Sequence, residues 1–246
     1  MTKRNSADVG FLLVDGYDLL GVSTSLSDNV SAMVEESHAL GDSWVKNTYV
    51  GLKSAELSQE GFYDDASDSS NEALSGSEGS SRLLCYGLEG NTIGKKFIGY
   101  SGAMQTNYNR VISRGELHKA NASYQGNGAV EDGLILHAHS TETADGETES
   151  SSVDGAAQST AGGAAYLQVS ALDLDDYDNI TVKVLESADN TTFTTLTTFT
   201  VVTAAPASER KVLTGTVKRY LAVEWEFTGG VGTDQSAKFF VGFDRY

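Results

Sequence analysis

The chain has 246 residues, a formal net charge of −17 from 34 acidic against 17 basic residues, and one cysteine, Cys85. A single cysteine excludes an intrachain disulfide and any multi-cysteine zinc site. So acidic a surface repels nucleic acid and anionic membranes, which excludes a DNA-binding grip but not a wall along which DNA slides without sticking.

The length permits one large β domain or two small ones with a real core, and one proline with 26 glycines fits twisted strands and tight turns better than helices. At the N-terminus the apolar run Phe11-Leu12-Leu13-Val14 is cut at Asp15. It is too short for a signal-peptide core or a membrane span, so the expectation is a soluble chain made in the cytoplasm. Asp15-Gly16 between that run and Leu19-Leu20-Gly21-Val22 is a hairpin-turn signal. A strand is expected from Ser31 to Ala39, a bend or long loop from Leu40 to Gly51, and a strand from Ala55 to Tyr63. Acids and serines from Asp64 to Leu74 open the one short helix. Strands are expected over Leu83–Leu88, Lys96–Tyr100, Ala103–Arg110, Gly115–Gln125 and Gly133–His139.

Composition then shifts. Residues 141–163 are rich in Ser, Thr, Gly, Ala and Glu and poor in large apolar side chains, as in a linker or long surface loop. That divides the chain into a β domain at 1–140 and a second antiparallel β module at 164–246 that packs with it. The second module has the cleanest pattern. Leu167, Val169 and Ala171 alternate with other residues, as do Ile180, Val182 and Val184, then Leu221, Val223, Trp225 and Phe227, then Phe239, Val241 and Phe243. A period of two between turn formers gives a mainly β protein, an antiparallel sandwich or barrel.

Chemistry is harder to find. His137 and His139 are two apart on an expected strand and share a face, as a metal pair would, but no further ligands follow, so they are read as surface or interfacial histidines. No Gly-x-Ser-x-Gly elbow is present, and Cys85 sits in an apolar run as a small core residue. Asp173, Asp175, Asp176 and Asp178 fail the calcium-loop pattern, because Tyr177 stands where an acid is wanted, and read as a solvated turn. Gly90-Asn91-Thr92-Ile93-Gly94-Lys95 lacks the spacing of a phosphate loop. No catalytic, cofactor-binding or metal-binding residue is nominated, and no enzyme is expected.

Two stretches nonetheless resemble a known family. One is Ser37-His38-Ala39-Leu40-Gly41-Asp42-Ser43-Trp44 followed by Gly51 to Asp64, with a Gly-Asp-Ser bend ahead of a strand that ends Gly61-Phe62-Tyr63-Asp64. The other is Leu185 to Phe199, then Leu213 to Leu221, ending Phe239 to Arg245. Together they are similar to the major tail tube proteins of long-tailed, non-contractile bacteriophages. The resemblance implies a tail-tube-like β domain, copies joined into rings that are usually hexameric, and rings stacked into a tube that carries DNA at ejection. It also implies contacts with other phage tail proteins, no sequence-specific DNA binding, no membrane, and a place in the virion tail after synthesis in the host cytoplasm. Trp44, Tyr49, Phe62 and Tyr63 are the expected subunit-interface residues. The alternative is a tail-tip, fibre or capsid-decorating β-sandwich that binds a surface carbohydrate through exposed aromatics such as Tyr177, Trp225 or Tyr246.

Overall fold

A computed structural model describes residues 4–5, 8–230 and 232–246. Val231, in the turn expected at Gly229–Gly232, and part of the N-terminal run before Asp8 lie outside the described residues. The chain is mainly β, with antiparallel pairing throughout the named strands and one short helix, as the alternation predicts.

β1 (Leu12–Val14) and β2 (Tyr17–Asp18) form the expected hairpin, with Asp15 at φ +49° and Gly16 at φ +91° as a left-handed two-residue turn requires. β3 (Ser23–Glu36) and β4 (Asn47–Phe62) make a long ribbon, followed by α1 (Ser70–Leu74) and β5 (Ser81–Gly87). β6 (Lys96–Val111), β7 (Lys119–Gly126) and β8 (Val130–Glu142) complete the first half. The strands expected at Lys96–Tyr100 and Ala103–Arg110 are one, β6.

The stretch read as linker or loop carries two short strands, β9 (Gly146–Glu147) and β10 (Val153–Asp154), both paired with β15 (Tyr220–Thr228). Side chains fasten it further. The Thr148 hydroxyl accepts from the Val223 amide at 2.8 Å, Asp145 accepts from the Phe227 amide, and the Trp225 indole donates to the Ala144 carbonyl. β11 (Gly163–Asp173), β12 (Asn179–Ser187), β13 (Thr194–Thr198), β14 (Ala207–Leu213) and β16 (Ser236–Arg245) complete the chain.

One sheet runs β14-β11-β16-β8-β6-β5-β1-β2, and β7, β4 and β3 branch from β6. β8 joins its two parts: Val130–Leu134 pairs with β6 and Leu134–Glu142 with β16. The smaller sheet, β10-β15-β12-β13, lies over β11 and β16 and encloses Leu167, Val169, Val182, Val223, Trp225, Phe239 and Val241. On the other face of β11 and β16, Tyr166 and Phe240 pack with Phe11, Leu13, Cys85 and Phe97. Beyond β1 and β5 a third core gathers Leu12, Leu84, Tyr86, Tyr100 and Tyr124 beneath α1. Strands with a core on each side are apolar at successive positions. That explains the unbroken runs Phe11–Val14 and Phe239–Phe243.

The middle core depends on glycines. A Cβ at Gly133 would lie 2.3 Å from the Phe97 ring and one at Gly242 2.5 Å from it, so only bare backbone leaves that ring room. Phe97 then meets Phe240 and Tyr166 edge-on, with ring centroids 5.2 and 5.5 Å apart.

The two histidines depart from expectation. Both are buried, because β8 has a core on each face, and an extra residue in it, where Phe239 faces Ser140 but Val241 faces His137, bulges the strand and turns them to opposite sides. His137 stacks on Phe239 and meets Trp225 edge-on, whereas His139 lies beside Phe11. They do not form a pair on one exposed face.

Candidate interaction surface

The β3–β4 ribbon projects from the body as an arm. Of the fourteen residues of β3 only Ser23 and Leu26 are even half-buried, and among the described residues β3 pairs with β4 alone, which leaves its other edge open. The arm is nevertheless paired along most of its length. Ser31 and Ser54 hydroxyls meet across it at 2.8 Å, and the Ser37 amide donates to the Lys46 carbonyl at 2.7 Å.

Asp42 shapes its tip. The carboxylate accepts from the Ala39 amide at 2.8 Å and from the Lys46 ammonium at 2.6 Å, and these contacts, the amide first, hold its pKa below the usual carboxylate range. The Gly41-Asp42-Ser43 bend is thus a pre-formed turn. It holds Leu40 and Trp44 out into solvent, the indole 85% exposed.

At the other end of the arm lies a cleft of about 520 Å³ lined by Val22, Phe62, Tyr63, Asp64, Glu116, Leu117 and His118. The Tyr63 amide donates to the His118 carbonyl at 3.0 Å, and the two rings lie tilted with centroids 6.5 Å apart. Leu117 stands 71% exposed at the rim, with Ile112 equally bare on the same hairpin. At about 3.3 Å per residue, tip and base are separated by roughly 40 Å of strand.

The four residues named from the sequence divide between these ends. Trp44 and Tyr49 belong to the tip, Phe62 and Tyr63 to the base, and one copy of the chain does not bring them together. Sequence reasoning missed Val30, Val34, Leu40, Val45 and Leu52 on the arm and Ile112 and Leu117 at the base, all exposed. At Leu40, Val45, Leu52, Ile112 and Leu117 the signal available was an apolar residue with no second apolar position two residues on.

Buried polar groups sit in the body. Arg82 donates to Asp15, to Gln105 and to the Ala73 carbonyl at 2.9 Å, which fixes the C-terminal end of α1. Asp173 and Asp175 accept backbone amides within their turn and from Thr233, so that acidic cluster shapes a loop. Among the described residues no group of three or more His, Cys, Asp or Glu side chains is placed to hold a metal ion, and no helix is long and apolar enough to cross a membrane.

His139 gives a pH test. Its Nε2 lies 2.8 Å from the Ser170 hydroxyl and its Nδ1 3.7 Å from Asp18, which also pairs with Lys238 at 3.0 Å. Burial, opposed by Asp18 and assisted by Lys238 and His137, pushes its pKa down to about 4. The folded imidazole stays neutral where the unfolded one, at about 6.5, takes a proton. Stability is therefore present above about pH 6.5 and is lost as pH falls towards 4, by about 3 kcal/mol for this residue. Asp244, raised by burial to about 6, works in the opposite sense. Urea unfolding of the wild type against His139→Gln cancels that contribution, and the variant is expected to show a shallower acid-side slope, short of the His139 share. Equal slopes would refute the assignment.

No protein-family model matches the chain, and no curated protein does. Among solved structures it is similar to a chain of the virion of the native gene transfer agent particle, at 14% identity over 53% of this chain and 98% of that one, with a TM-score of 0.42. It is similar at 15% identity, over the same shares, to a chain of the tail of the empty gene transfer agent particle, which has C6 symmetry, with a TM-score of 0.40. It is also similar to the SPP1 Dit (gp 19.1) protein, described as a paradigm of the hub adsorption apparatus in phages that infect Gram-positive hosts, at 12% identity over 96% of this chain and 98% of that one, with a TM-score of 0.37.

Proposed function

We propose that the chain is a structural subunit of a bacteriophage tail, specifically a tube subunit whose copies close into rings that stack around the path of DNA ejection. The arm carries this reading: a hydrogen-bonded ribbon with apolar side chains bare at its tip and an open strand edge along its length. Exposed apolar surface on an ordered element marks an interface, and copies of the same chain are the simplest partner. Trp44, Tyr49, Phe62 and Tyr63 are assigned to that interface. In a closed tube the surplus of acids keeps DNA from adhering to the wall. The two-module division at 1–140 and 164–246 belongs to the same proposal, the second module decorating or completing the tube.

A second reading is a tail-tip protein, such as the hub of an adsorption apparatus, in which the C-terminal sandwich binds a surface carbohydrate. It is favoured by the separate core of that sandwich and by a cleft of about 430 Å³ at its edge, between Leu167, Thr200–Ala204 and Glu209. Negative-stain electron microscopy with sedimentation of the purified protein at rising concentration tests the first reading. Hollow tubes or stacking rings of uniform diameter are expected. Single rings that never stack would move the assignment to the hub, and subunits that stay single throughout would overturn ring formation.

A further inference from the structure

The two ends of the arm differ in shape and in chemistry. The tip is a convex knob bearing Leu40 and Trp44, whereas the base is a concave cleft walled by Phe62, Tyr63 and Leu117. Unlike surfaces on one chain associate head to tail, and repetition of such a contact closes a ring or extends a filament.

One cation links the two ends. Lys46, mostly exposed beside the knob and already paired with Asp42, comes against Asp64 and Glu116 of the cleft when the knob seats, and is shared between the acids of both ends. Because Asp42 already holds the tip bend, little conformational freedom is lost when the knob seats.

We infer that Leu40 and Trp44 of one copy seat in the Phe62–Tyr63–Leu117 cleft of the next copy. This pairing rests on the ring-forming reading above. Trp44 is the buried aromatic anchor of the contact, and Trp44→Ala is expected to weaken association by about 30-fold.

Crosslinking tests it directly. The one native thiol, Cys85, is buried in the middle core, and Ser43, beside the knob, and Arg114, beside the cleft, are exposed, so cysteines placed there leave the fold, the anchor and the cleft wall intact. Ser43→Cys protein is mixed with a size-tagged Arg114→Cys protein and oxidised, and Ser43→Cys mixed with Val201→Cys, exposed on the other module, serves as control. The expected result is a mixed disulfide dimer roughly tenfold above the control, since thiols held beside a seated knob share a high effective concentration. Predominance of Ser43→Cys self-dimers, or a yield equal to the control, would overturn the pairing. Sedimentation of the wild type separates the two failures: assembly without this crosslink overturns the pairing alone, and single subunits at every concentration overturn ring formation with it.

Discussion

Arg210→Met is expected to lower unfolding stability by about 3 to 5 kcal/mol, the cost of leaving its buried partner carboxylate uncompensated. Glu131, on β8, is only 3% exposed, and its carboxylate is satisfied by three side chains from distant parts of the chain. Arg210 on β14 donates from Nη2 and, at 3.1 Å, from Nε, while Tyr166 on β11 and Tyr246 at the C-terminus donate their hydroxyls. Burial alone would raise the Glu131 pKa, but these donors outweigh it and hold the carboxyl below its usual range. Wild-type stability from this group is therefore present above the unfolded pKa and is lost as pH falls through the lower folded value. In Arg210→Met the carboxylate keeps its burial and loses its cation, so its pKa rises and neutralisation relieves the defect. The gap between variant and wild type, read as urea midpoints, is expected to be widest near pH 7 and to narrow towards pH 4. A gap independent of pH would mean that Arg210 acts through packing of its stem rather than its charge. Glu131→Gln combined with Arg210→Met should cost less than the sum of the single changes, because the cycle removes both halves of one interaction.

This network illustrates where sequence reading stops. The β class and most strands were legible because their burial repeats every two residues: Ile180, Val182 and Val184 face one core, and Asp15-Gly16 names its own turn. The partners of Glu131 lie 35 to 115 residues away, and no local pattern distinguishes it from Asp132, its exposed neighbour. β13 and β14 were illegible for another reason. Thr194–Thr198 and Ala207–Leu213 are edge strands, and strands that end a sheet carry polar and charged residues that blunt their open side. His137 and His139 were misplaced because a bulge is invisible to strict alternation and sends two residues of like parity to different surroundings.

The arm failed to register for the opposite reason to Glu131. A strand buried on neither face carries a weak pattern, so of β3 only the part from Ser31 was expected as strand and the start of β4 read as a bend or loop, although the resemblance in that stretch drew attention to Trp44 and Tyr49. Only the half of β4 from Ala55 onward, where Ala55 and Leu57 enter the core, carries the expected period. The residues that distinguish this protein from a generic β body are thus those with the weakest folding signal. Their apolar character has no use within the chain's own core.

That separation makes the arm removable. Ser31 and Ser54 are paired in register across the ribbon, and no described side chain between them contributes to a core. Replacing residues 32–53 by Asn-Gly closes a two-residue hairpin between the two serines, the loop whose twist suits antiparallel strands. The shortened protein is expected to keep its cooperative unfolding, with a midpoint within a few degrees of wild type, since surface changes away from core and network cost about 0.5 kcal/mol or less. Assembly is expected to vanish in the same sample: sedimentation should show single subunits at concentrations where the wild type forms rings or tubes. Loss of cooperative unfolding would mean that the arm is part of the folding unit. Rings formed without it would place the subunit contact elsewhere, with the open edges of β14 and β13 the first to be searched.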